Sequence, residues 1–112
     1  MTTPEPLAEA RRLLDEVDRL HGAGEARAAR TAAHRALALV EAGARPGWRD
    51  GALRFEAVLA AAHQDRIAGD LDTARTRCEE ALALATARGG DRTVEAALAH
   101  NALGMVCKYA GD

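Results

Sequence analysis

The chain has 112 residues, of which 48% are hydrophobic and only 3% aromatic, and carries a net charge of -2 from 15 basic and 17 acidic side chains. That length holds one small domain and not two. The near-balance of charge removes the electrostatic case for direct contact with nucleic acid or an acidic membrane surface. Alanine fills 28 positions, whereas Val and Ile together fill six and Thr seven, so an all-α fold is expected.

The first helical pattern covers about residues 4–20. Thr3 is placed to cap it, and Pro4 suits a first turn. Leu7, Ala10, Leu13, Leu14, Val17 and Leu20 recur at gaps of three and four and make one face. Gly22 and Gly24 break it. The second pattern, about residues 25–41, carries Ala29, Ala33, Ala36, Leu37 and Val40, and Gly43, Pro46 and Gly47 end it. The third runs over about residues 50–67 with Leu53, Ala57, Val58, Ala61 and Ala62 on one side. Gly69 stops it, and Asp70 is the expected cap of a fourth helix over about residues 71–87. Asp91 is the expected cap of a fifth, about residues 92–109. The connections are short enough to force antiparallel neighbours.

The helices repeat one another. "GEARAARTAAHRALAL" begins at Gly24 and "GDLDTARTRCEEALAL" at Gly69, an offset of 45 residues, and both finish on Ala-Leu-Ala-Leu. A further Gly-Asp stands at Gly111-Asp112, 42 residues after Gly69. A period in this range is the mark of stacked supersecondary units.

These residues resemble the tetratricopeptide repeat family, whose unit has a Leu-Gly pair in its first helix, a Gly-Asp turn, and spaced alanines in its second. Leu103-Gly104 with Gly111-Asp112 matches the first part, and Gly69-Asp70 with Ala74 and Ala81 the second. Gly24, Ala29 and Ala36 follow the pattern with Glu25 in place of Asp. The period exceeds the family's ~34 residues by about one extra turn per helix, a turn being ~3.6 residues. Units lengthened in this way are similar to those of kinesin light chains and several bacterial regulators, and the excess of Arg over Lys, fourteen to one, fits a GC-rich bacterial genome. Ala61-Ala62 and Glu16-Val17 replace Leu-Gly in the other units. Leu20, Asp65 and Cys107 stand where the family usually has an aromatic.

The resemblance implies a short right-handed α-solenoid in one domain, residues 1–112. Repeat 1 spans about 4–43, repeat 2 about 50–88, and a half repeat about 91–112. It also implies a non-catalytic module that binds a peptide or protein segment in a concave groove lined by the first helix of each unit. In the Gly-Asp register the groove residues are Glu56, Leu59, His63, Arg66 and Ile67 from the middle unit, and Leu98, Asn101, Met105, Lys108 and Tyr109 from the last. Asn101, two residues before Leu-Gly, is placed to pair with a ligand backbone, or to bridge adjacent repeats. Arg66 and Lys108, at equivalent positions, are placed to hold a carboxylate or to stand apart in solvent. An alternative function is the sensory or scaffold region of a larger bacterial regulator whose output domain is a transcription factor, protease or nucleotide hydrolase.

Chemistry finds little footing in these residues. The chain has no serine. His100 precedes Cys107 by two helical turns without an orienting third group. Cys78, Cys107 and four histidines are scattered without metal-ligand spacing. Glu79-Glu80 reads as a solvated face, and His34 and His63 as surface or groove residues. "ARGGDR" follows a helix and not a strand, so it is not a phosphate loop. No enzyme, metal or cofactor is expected. The cysteines read as core residues in a reducing cytoplasm, and neither a signal peptide nor a membrane span is expected.

The fifth helix is apolar almost all round, from Val94 to Ala110. Repeat arrays need polar terminal faces for solubility, so this helix is expected to be covered by further repeats of a longer parent or by self-association.

Overall fold

The computed structural model describes residues 5–43 and 51–111. Among these the chain forms five helices and no strand: α1 (Glu5–Gly22), α2 (Ala26–Gly43), α3 (Gly51–Ile67), α4 (Leu71–Gly89) and α5 (Val94–Ala110). Every limit lies within two residues of the sequence reading. The Thr3 cap, Pro4, residues 44–50 with Pro46 and Gly47 of the second turn, and Asp112 lie outside the described residues. None of the helices is long and apolar enough to cross a membrane.

Each helix packs on the next. In addition α1 meets α3 and α3 meets α5, whereas the backbones of α2 and α4 stand farther apart and are bridged by Arg77 and Glu41 at 3.9 Å. The odd helices therefore form one layer and the even helices the other. The molecule measures 47 × 34 × 20 Å, and 20 Å is about two helix diameters. α3 touches all four other helices and is buried on several sides, from Leu53 and Phe55 to Gln64 and Asp65. The main core holds the apolar stripes of α1, α2 and α3 with parts of α4 and α5. A second cluster, with Ala62, Ala74, Cys78, Ala102 and Val106, lies at the α3–α4–α5 end.

The sequence repeat is also a repeat of burial. Ala74, Cys78, Ala81 and Ala85 are the buried positions of α4. Each lies 45 residues after a fully enclosed position of α2, namely Ala29, Ala33, Ala36 and Val40. These stripes are small side chains with no exposed area to spare, so helix axes approach closely and leave no room for a larger residue.

The turns repeat as well. Gly24 and Gly69, 45 residues apart, both adopt left-handed conformations with φ of 77° and 86°. The residue after each glycine donates its amide back over a whole turn: Glu25 N to Leu20 O and Asp70 N to Asp65 O, both at 2.9 Å. This is the helix-ending geometry that glycine permits without strain. Gly111 repeats the conformation at φ 79°.

Two expected caps are corrected. Asp70 precedes α4, but its side chain makes no capping bond; its Oδ2 instead accepts from Arg30 Nη2 at 3.3 Å. Helix α5 is capped by Thr93 and not Asp91, with Ala96 N donating to Thr93 Oγ1 at 3.1 Å. Replacing Thr93 with Ala should lower the unfolding free energy by about 1 kcal/mol, read from urea denaturation, with Asp91→Ala close to neutral.

Among the described residues α5 is covered along one stripe. Only the stripe Ala96, Ala99, Ala102 and Val106 is buried, while Val94, Leu98 and Tyr109 are exposed at 76%, 48% and 60%. Gly104, half of the Leu-Gly pair, has nothing within 4 Å of where a Cβ would stand.

Candidate binding groove

The layer of odd helices carries a groove enclosing about 500 Å³. Its floor is apolar. Leu14 and Val17 of α1 and Phe55 of α3 are buried core residues whose edges reach it, and half-buried Leu59 and Ala60 continue it along α3. Exposed Ile67 and Leu98 close the side towards α5. The spacing explains this: Glu56, Leu59, Ala60, His63 and Ile67 recur at three and four residues and share one face of α3.

Charged groups stand around the floor. Arg11 of α1 pairs with Glu56 of α3 and ties the two walls. Asp15, Asp18 and His21 follow Arg11 along α1. Arg66 turns towards α5, where its guanidinium lies 5.6 Å from the centre of the Tyr109 ring, within cation–π range.

His63 is half-buried between these elements, and its pKa is lowered from 6.5 by desolvation, with further push from Arg66 and His21. The folded chain therefore resists taking up a proton that the unfolded chain accepts near 6.5. Stability should fall as pH drops through 6.5 towards the lower folded value. His63→Gln should flatten that part of the stability-versus-pH curve, measured by urea denaturation at stepped pH.

Of the ten residues assigned to a groove, Glu56, Leu59, His63, Arg66, Ile67 and Leu98 line this one. Tyr109 adjoins it through Arg66. Asn101, Met105 and Lys108 lie farther along α5 and are not part of the lining; Asn101 and Lys108 are exposed. Arg66 lies against an aromatic ring, and Lys108, its equivalent in the next unit, stands outside the lining. The α1 wall had no assigned residue, although the register that selected the first helix of the other two units selects α1 equally.

Sequence reasoning also missed a polar cluster on the far side of α3. Asp65 has no exposed area. Its Oδ1 accepts from Arg30 Nε at 3.0 Å and from His34 Nε2 at 2.7 Å, both from α2. Arg30 continues to Asp70, so one guanidinium joins α2 to α3 and to the turn before α4. His34 belongs to this cluster and not to the groove.

Burial in the second core cluster pushes the Cys78 thiol up to about 11, far from the thiolate needed of a nucleophile at neutral pH. Among the described residues no three His, Cys, Asp or Glu side chains converge as metal ligands.

No protein-family model, curated protein or solved structure matches this chain. The groove's chemistry is read from its own residues. An apolar floor with a few polar groups at its edge is the usual make-up of a binding site.

Proposed function

We propose that this chain is a non-catalytic protein-interaction module of the tetratricopeptide type, which holds an extended peptide segment in the groove across α1, α3 and α5. The observation that carries the reading is the groove's composition: it is built from the first helix of each unit, as the family resemblance requires, and its floor across α1 and α3 is apolar, with Leu98 of α5 closing one side. Two further observations support repeat architecture, the burial stripes of α2 and α4 in a common 45-residue register and the matched turns at Gly24 and Gly69. The fold it belongs to is a short α-solenoid. In this reading the exposed face of α5 is covered by further repeats or by a second copy.

The test is selection of random heptapeptides displayed on phage against the chain, followed by affinity measurement on the double variant Ile67→Glu/Leu98→Glu. Both residues are exposed, so helicity should persist. Selected peptides should lose about tenfold or more in affinity, the loss of roughly 1.4 kcal/mol that one apolar contact readily supplies. Failure to enrich any peptide, or peptides indifferent to the double variant, would reject the groove.

A further inference from the structure

The charges around the groove do not cancel. Arg11 is committed to Glu56, and Arg66 lies over Tyr109. Asp15 and Asp18 stand about one turn apart on α1, line the same wall and are exposed. Neither forms an ion pair among the described residues. Arg66 keeps its charge over the ring, so the lining holds three carboxylates against two guanidiniums, and the excess negative charge lies on the α1 wall at Asp15 and Asp18.

A separate observation concerns hydrogen bonding. Gln64 lines the groove at 5% exposure, and its enclosed Oε1 meets no donor. The enclosed Nε of Arg66, also in the lining, meets no acceptor. Buried polar groups are nearly always paired, so these two leave an acceptor and a donor to be satisfied on either flank of the α3 face. A peptide backbone offers one donor and one acceptor per residue.

Resting on the interaction-module reading, we propose that the groove's ligand is a basic-aliphatic peptide segment. An aliphatic side chain sits on the floor between Leu14, Val17 and Leu59, and a neighbouring Arg or Lys reaches Asp15 and Asp18. Once the Gln64 and Arg66 side chains turn towards the groove, the backbone of the segment supplies an N–H to Gln64 and a carbonyl to Arg66. Pairing of a cation with carboxylates beside an apolar floor gives both affinity and orientation. An acidic segment is rejected by like charge, and rejection contributes to specificity as much as attraction does.

The test uses fluorescein-labelled peptides of sequence Gly-Leu-Xaa-Leu-Gly-Gly with Arg, Gln or Glu at Xaa, and a Gly-Ser-Arg-Ser-Gly-Gly control. Binding to the intact chain is read by fluorescence anisotropy at low ionic strength. The Arg peptide should bind about tenfold more tightly than the Glu peptide, with Gln between and the serine control weakest. Its advantage should shrink with added salt. Asp15→Asn/Asp18→Asn should bring the affinities of the Arg and Gln peptides together; both positions are exposed, and circular dichroism checks the fold. Equal or tighter binding of the Glu peptide, or an Arg preference that survives the double variant, overturns the charge assignment while leaving the groove reading intact. If no leucine-bearing peptide binds, the groove reading itself falls and the proposal with it.

Discussion

Replacing Asp65 with Ala is expected to lower the unfolding free energy by about 3 kcal/mol, a large part of the ~5–15 kcal/mol that holds a domain of this size. The carboxylate is fully enclosed and receives Arg30 and His34 through the same oxygen. Removing it deletes two short charge-assisted hydrogen bonds and leaves a hole in α3. The loss stays at the lower end of the range for a broken buried pair. The Arg30 and His34 side chains are 38% and 36% exposed, so water can solvate them, and Arg30 keeps Asp70. Asp65→Asn should cost less, about 1–2 kcal/mol. It retains one acceptor oxygen, but it sets an amide where Oδ2 stands without a partner. A double-mutant cycle with Arg30→Ala, followed by urea denaturation, should give a coupling of about 1 kcal/mol or more. Additive losses would mean that the α2–α3 bridge carries no stability.

Replacing Ala81 with Leu should be similarly damaging, at roughly 1–3 kcal/mol or above. A drop of about 10 °C in Tm corresponds to the middle of that range for a chain of this length. Ala81 has no exposed area and belongs to the main core. It stands 45 residues after Ala36, which is also fully enclosed. Three added carbons have no cavity to enter, so α4 must move off α3 and α5. Ala83→Leu, two residues along on the exposed side of the same helix, should stay within about 0.5 kcal/mol of the parent. The contrast between two identical substitutions, read by thermal denaturation, isolates packing from helix propensity.

The helices were legible because the apolar residues keep helical spacing and because glycines stand between them. The equivalence of α2 and α4 was legible from Ala-Leu-Ala-Leu, and the burial of Ala36 and Ala81 is its physical content. Asp65 was not legible. A charged residue among polar neighbours reads as surface, and the partners that make its burial tolerable lie 31 and 35 residues earlier in the chain. The cap at Thr93 was missed because Asp91 is the stronger capping residue by type, while the choice between them was made by where the helix starts. In the groove, spacing placed the α3 face, since one periodic face of one helix is a local property. On α5, Leu98 lines this groove and Asn101, about one turn on, lies outside its lining. That difference depends on how α5 crosses α3, which no local pattern encodes.

The most direct test of the central claim is a heteronuclear NMR titration of the ¹⁵N-labelled chain with a peptide selected for binding. If the groove across the odd helices is the binding surface, the amide shifts move on α1, α3 and the start of α5, around Leu14, Asp18, Leu59, His63 and Leu98, and stay still along α2 and α4. Shifts concentrated on α2 and α4, around Arg35 or Glu79, would contradict the claim.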